Sequence, residues 1–158
     1  MHRNVQLGIG MVPQTRNVFP NLTVKQCLEI AGTRSGEREF KAVFDLFPRL
    51  KERIDQKAGL MSGGEQQMLA VGMALTTQPG AILLDEPTAG LSPVAARTVL
   101  ASLVDVNERA GVAIVLVEQN VMLALEIAQR AVVVRSGKVV FDGPADALAD
   151  SKNLWALF

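Results

Sequence analysis

The 158-residue sequence has no tyrosine, one cysteine, one histidine and one tryptophan, and its sixteen basic residues cancel sixteen acidic ones. Each scarcity removes a class of chemistry. Cys27 has no second cysteine with which to close a disulfide and, in VKQCLEI, no CxxC partner, so a packing role is expected and a reducing cytoplasm is the default compartment. With His2 as the sole imidazole, zinc centres and a Ser-His-Asp triad lack their ligands or their base. A net charge of zero, without a block of like charges, argues against a general electrostatic grip on nucleic acid or anionic lipid. The longest apolar runs, Met68 to Leu75 and Ala110 to Val117, fall far short of the roughly eighteen residues of a spanning helix. The opening MHRNVQLGIG also lacks the apolar centre of a signal peptide.

What is present suffices for one globular domain. Hydrophobic residues make up 49% and charged ones 20%, enough apolar surface to offset chain entropy. Val5 to Val12 reads as a strand, and the loop-like TRNVFPNLTV follows. Thr23 offers an N-cap to a helix from Val24 to Ala31 that ends at Gly32. A second helix, Glu37 to Phe47, carries Phe40, Val43, Phe44 and Phe47 at helical spacing and is expected to stop at Pro48, before a polar segment. Ser62-Gly63-Gly64 opens a third helix that reaches about Thr77.

Strands then alternate with helices: strand Ala81 to Leu84, helix Val94 to Ala110, strand Val112 to Val117 and helix Val121 to Arg130. Two further strands, Ala131 to Val134 and Lys138 to Phe141, flank a Ser136-Gly137 hairpin signal, and Pro144 and Ser151 start short tail helices packing Leu154, Trp155 and Leu157. Short strands apolar on both faces and separated by helices predict an α/β fold, with a parallel sheet covered on both sides.

Two motifs carry chemistry. In AILLDEP, four apolar residues run into Asp85 and Glu86, placing adjacent acids at the carboxyl end of a parallel strand, where open α/β sheets bind ligands. Alternation predicts opposite directions for them, with Asp85 addressing a magnesium ion and Glu86 an attacking water. A strand ending in solvated acids is the plainer alternative. In MSGGEQQ, Ser62, Gly63 and Gly64 stand at a helix N-terminus, where free N–H groups and the dipole favour an anion and glycine allows close approach. An ordinary N-cap, with Glu65 in the first turn, is the alternative there.

Taken together, these motifs resemble the ATP-binding subunits of ABC transporters over essentially the whole chain. Gln14 in MVPQ looks like the Q-loop glutamine, MSGGEQQ resembles the signature motif, ILLDEP is similar to Walker B with its following glutamate, and Ala89 to Pro93 matches the D-loop. The wider text, with VEQN, resembles the subgroup that energises branched-chain amino-acid importers. Gln119 stands where many relatives have a switch histidine, and Met73 stands where an arginine is usual.

The resemblance implies a P-loop NTPase-like fold with an inserted helical subdomain: 1–20 as the Q-loop region, 21–77 as the helical subdomain with the signature, and 78–158 as the catalytic α/β part and tail. It implies ATP and Mg2+ as ligands. Glu86 and Gln119 would be catalytic, Asp85 and Gln14 would hold the metal, and Ser62, Gly63, Gly64 and Glu65 would touch ATP held by a second ATPase subunit. Permease subunits and, through them, a substrate-binding protein are the implied partners, with no nucleic acid, at the cytoplasmic face of the membrane.

No GxxxxGK[ST] occurs. The expectation is therefore an N-terminally truncated chain that is inactive alone. A non-hydrolysing subunit lending its signature to a partner, and an importer for urea or short amides, are the alternatives. Soluble ABC proteins of DNA repair or translation resemble the chain in these motifs, but their long insertions are absent.

Overall fold

The computed structural model describes residues 7–15, 17–32 and 40–148. The expected strand start at Val5, the helix start at Glu37 and the tail residues Leu154, Trp155 and Leu157 lie outside them. Two compact units divide the chain, Met1–Gln119 and Asn120–Phe158.

The first unit is built on three parallel strands, β1 (Ile9–Val12), β2 (Ala81–Asp85) and β3 (Ala113–Val117), hydrogen-bonded in the order β1-β2-β3. Val12 is in register with Leu84, and Leu84 with Leu116. Between β1 and β2 run α1 (Val24–Gly32), α2 (Lys41–Leu46), α3 (Pro48–Glu52), a 3-10 turn (Ala58–Leu60) and α4 (Gly63–Leu75); α5 (Pro93–Ala110) joins β2 to β3.

Local chemistry accounts for the helix ends. Thr23 Oγ1 accepts from Gln26 N while Gln26 Oε1 accepts from Thr23 N, a reciprocal cap that opens α1. Ser92 Oγ accepts from Ala95 N, Pro93 occupies the first turn, and Gly111 closes α5 at φ +67, where glycine bears no Cβ penalty. α2 ends at Leu46, before Pro48 as expected, and Pro48 then also opens α3, since a first-turn residue needs no intrahelical N–H bond.

The core of the unit lies around α4. Leu69 and Val71 on α4, Leu28 on α1, Leu50 on α3, and Val99, Leu103 and Val106 on α5 are fully or almost fully buried, each contributing about 1.5–3 kcal/mol relative to exposure. Gly72 marks a close approach: a Cβ there would lie 2.9 Å from Val43 Cγ1 and 3.4 Å from Leu50 Cδ1. On the sheet, Val12, Ile82 and Leu84 are buried, whereas Met11, Leu83, Val115 and Val117 are exposed. The expected covering of both faces is therefore met on one face only among the described residues.

The second unit contains α6 (Val121–Ile127), β4 (Arg130–Arg135), β5 (Lys138–Pro144) and a 3-10 turn (Ala145–Leu148). Asn120 Oδ1 caps α6 by accepting from Leu123 N. The helix is shorter than expected because Ala128 is already extended and Arg130 begins β4. β4 and β5 pair antiparallel around Ser136 and Gly137, whose φ values of +51 and +74 suit the mirror-image turn that matches strand twist. Arg130 Nε and Nη2 donate to the two Asp142 carboxylate oxygens at 2.8 Å each, which holds the Asp142 carboxyl below its ordinary value.

Candidate functional site

β1 and β2 deliver the sequence-predicted acids and Gln14 to one edge of the sheet. Asp85 ends β2, opposite Val117 of β3, and is exposed. Glu86 lies beyond the strand, so alternation does not set its direction. Its φ of +45, a left-handed conformation that costs a non-glycine residue of order 1–3 kcal/mol, does so instead. The Glu86 N–H donates to Val117 O at 2.8 Å, and its carbonyl accepts from Ala89 N at 3.1 Å. Gln14, two residues past β1, donates from Nε2 to Glu86 Oε2 at 2.5 Å. Residues 72 positions apart thus meet at the carboxyl ends of adjacent parallel strands.

The α4 N-terminus forms a separate cluster. Ser62 Oγ accepts from Glu65 N at 3.4 Å, and Glu65 Oε2 accepts from Ser62 N at 3.0 Å and from Ser62 Oγ at 2.9 Å, a complete capping box. Arg53 Nε lies 2.8 Å from Glu65 Oε1 in an ion pair. Burial opposes ionisation of Glu65, but the Ser62 backbone and hydroxyl bonds, with Arg53 and Arg49, outweigh it and hold the carboxyl below its ordinary value. A Cβ on Gly63 would approach Leu91 Cδ2 to 2.7 Å, so glycine lets the turn after β2 lie against this helix end. Both the anion-site and capping-box readings of this motif remain compatible: the hydroxyl is engaged in the box, while the first N–H groups of any helix lack intrahelical acceptors.

No hydrogen bond joins this cluster to the Gln14–Glu86 pair among the described residues. Gln119 stands exposed in the segment after β3.

Several residues escaped sequence reasoning. Thr88 is 8% exposed, and both its N–H and its hydroxyl donate to Glu118 Oε1, at 2.9 and 2.6 Å. Asn17 Nδ2 donates to Gln67 Oε1 at 2.6 Å, joining the segment after Gln14 to α4. Cys27 is buried, its Sγ 3.6 Å from the Phe19 carbonyl, and burial pushes its thiol up, as suits packing.

Asp85 and Gln14 fit magnesium in donor chemistry, a carboxylate and an amide carbonyl being hard oxygen ligands. No group of three or more His, Cys, Asp or Glu able to hold a metal occurs among the described residues.

A parallel sheet with acids at its carboxyl edge and a glycine-opened helix inserted between β1 and β2 is the architecture of ATP-binding cassettes. The fold aligns with a solved structure, the ADP conformation of MJ1267, an ATP-binding cassette of an ABC transporter, at TM-score 0.84 and 21% identity, covering 98% of this chain and 69% of that one. It also aligns with cbiO1 from Clostridium perfringens at TM-score 0.82 and 22% identity, covering 94% and 62%.

The family profile described as ABC transporter matches residues 1–89, and the chain belongs to that family. It is similar to a protein of Archaeoglobus fulgidus named as a probable branched-chain amino acid transport ATP-binding protein, LivF, with 43% identity over 156 residues, 96% of this chain and 66% of the relative. The high-affinity branched-chain amino acid transport ATP-binding protein BraG of Pseudomonas aeruginosa is 44% identical over 89% of this chain and 62% of its own. A phosphonates import ATP-binding protein, PhnC 1 of Halalkalibacterium halodurans, is 33% identical over 94% of this chain and 63% of its own. The chain thus spans less than two thirds of the length of these curated relatives.

Proposed function

We propose that this chain is part of an ATP-hydrolysing subunit that energises an ABC importer, with branched-chain amino acids as the transported class. The observation that carries the reading is the Gln14–Glu86 hydrogen bond at the carboxyl edge of the sheet, beside Asp85. Glu86 is the general base that accepts a proton from the attacking water, Gln14 orients that carboxylate, and Gln119 contributes a hydrogen bond without accepting the proton. Asp85 and the Gln14 side-chain carbonyl would hold Mg2+, which when bound would neutralise phosphate charge. Ser62, Gly63, Gly64 and Glu65 face ATP held by a second subunit, with residues 21–77 as the helical subdomain carrying them. Permease subunits are the membrane partners, and the cytoplasmic face of the membrane is the location. No described helix is long and apolar enough to cross a membrane itself. Higher identity over most of the chain to LivF than to PhnC 1 favours branched-chain substrates over phosphonates.

A second reading, a non-hydrolysing subunit that lends its signature to a partner's site, draws on the lack of GxxxxGK[ST] within these 158 residues. The 158-residue chain alone is expected to release phosphate from ATP no faster than background. Joined to the part of the Archaeoglobus relative that it does not match, it is expected to hydrolyse ATP, and Glu86→Gln is expected to bind ATP while losing most turnover. Equal turnover by that variant removes the hydrolase assignment.

A further inference from the structure

Beyond the crevice edge, the segments leaving β2 and β3 are tied together twice. The first tie, Glu86 N–H to Val117 O, prolongs the sheet ladder by one bond. A single bond leaves the turn after Glu86 free to pivot. The second tie removes that freedom, because Thr88 presents two donors, N–H and Oγ1, to the same oxygen of Glu118. Both donors are aimed at a carboxylate, and such charge-assisted bonds are roughly twice as strong as neutral ones. Thr88 is nearly out of water, which shields them further. Within the frame so made stand Glu86, in its left-handed conformation, and Gln119, the next residue after Glu118.

We infer that Glu118 is a positioning residue for the hydrolytic site: it latches Thr88 so that the turn after β2 holds Glu86 in its strained backbone geometry, and it fixes the start of the segment bearing Gln119. On the hydrolase reading above, Glu118 touches neither ATP nor water and acts through Glu86. The chemistry of the latch requires an acceptor oxygen, not a charge that titrates. A glutamine at 118 therefore preserves it in weakened form, and an alanine abolishes it.

The test uses the chain joined to the part of the Archaeoglobus relative that it does not match, with kcat and KM for ATP, the urea midpoint and amide exchange of Thr88 read in parallel. Glu118→Ala is expected to lower kcat by about 10- to 100-fold with KM within about twofold, as loss of charge-assisted bonds predicts. Glu118→Gln recovers most of that loss, and Thr88→Val adds little to Glu118→Ala. Thr88 amide exchange, which needs no hydrolysis and is also readable in the 158-residue chain, speeds up in Glu118→Ala and stays slow in Glu118→Gln. Wild-type kcat in Glu118→Ala, additive losses in the double variant, or unchanged Thr88 exchange overturns the latch. Loss of turnover in Glu118→Gln equal to that in Glu118→Ala also overturns it, since the acceptor oxygen would then not be what matters. Undiminished turnover in Glu86→Gln, with Thr88 exchange still responding to Glu118, is the distinct signature of a failed hydrolase reading.

Discussion

The N-terminus of α4 and the carboxyl edge of the sheet use polar side chains in opposite ways. At α4 the network closes on itself: Ser62 and Glu65 cap each other, and Arg53 and Glu65 are paired. At the sheet edge, Asp85 and Gln119 are exposed, and Glu86 has one side-chain partner, Gln14, while its backbone sits in a strained conformation. A closed side-chain network contributes to folding and leaves ligand contact at that helix end to the backbone N–H groups of its first turn. An open edge contributes little to folding and retains oxygens free to act. Substitutions at the edge should therefore change chemistry with stability held, and substitutions around α4 should change stability first.

The largest effect that would sharpen this contrast is at the edge. In the chain joined to the part of the Archaeoglobus relative that it does not match, Glu86→Gln is expected to reduce steady-state phosphate release by about 10²- to 10⁴-fold, the usual contribution of a positioned base, and Gln119→Ala by about tenfold or less. Nucleotide affinity and the urea midpoint should both stay close to the parent. Equal inactivity of the two variants at equal affinity would dissolve the division of roles. Next in size, Leu69→Ala at the centre of the α4 core is expected to destabilise by about 2–5 kcal/mol, seen as a lower urea midpoint at constant m value. A loss below 1 kcal/mol would mean that the core around α4 is looser than its burial indicates.

Smaller still, Ser62→Ala should cost about 0.5–2 kcal/mol of stability through loss of the cap, by the same urea measurement. The smallest effect is in pH. Glu65 has a depressed folded value, so its stabilisation is complete above the ordinary carboxyl value of 4.5 and disappears as pH falls through the lower folded value. The advantage of the parent over Glu65→Gln in urea midpoint should thus shrink on acidification below that point, by about 1 kcal/mol or less for a half-buried pair still open to solvent screening. An advantage that grew on acidification would contradict the paired state of Glu65.

Local signals were the readable part of the fold. SGG with Glu65 three residues after Ser62 announced the α4 cap, AILLD announced β2, and Ser136-Gly137 announced the hairpin, because each is written in consecutive residues. Pro48 marked the end of α2 but hid the start of α3, because proline ends one helix and opens another with the same ring. The direction of Glu86 was not legible, since its positive φ accompanies a ladder bond to Val117, a turn to Ala89 and the Thr88–Glu118 tie, none of them written in the sequence pattern. The residues expected at the site were named from their motifs, yet the Gln14–Glu86 bond and the Thr88–Glu118 tie join positions 72 and 30 apart, and no periodicity encodes them. Met11, Leu83, Val115 and Val117 are exposed because apolar strands record a need for cover on both sides, not its source.

The approach of Val43 to Gly72 couples two positions that are far apart in the chain. Because the space above residue 72 is filled by a methyl of Val43, side-chain volume there is a shared quantity: an alanine at 72 fits only with a smaller residue at 43. Sequences that keep this helix pair should therefore trade carbon atoms between the two sites, one losing a methyl where the other gains it.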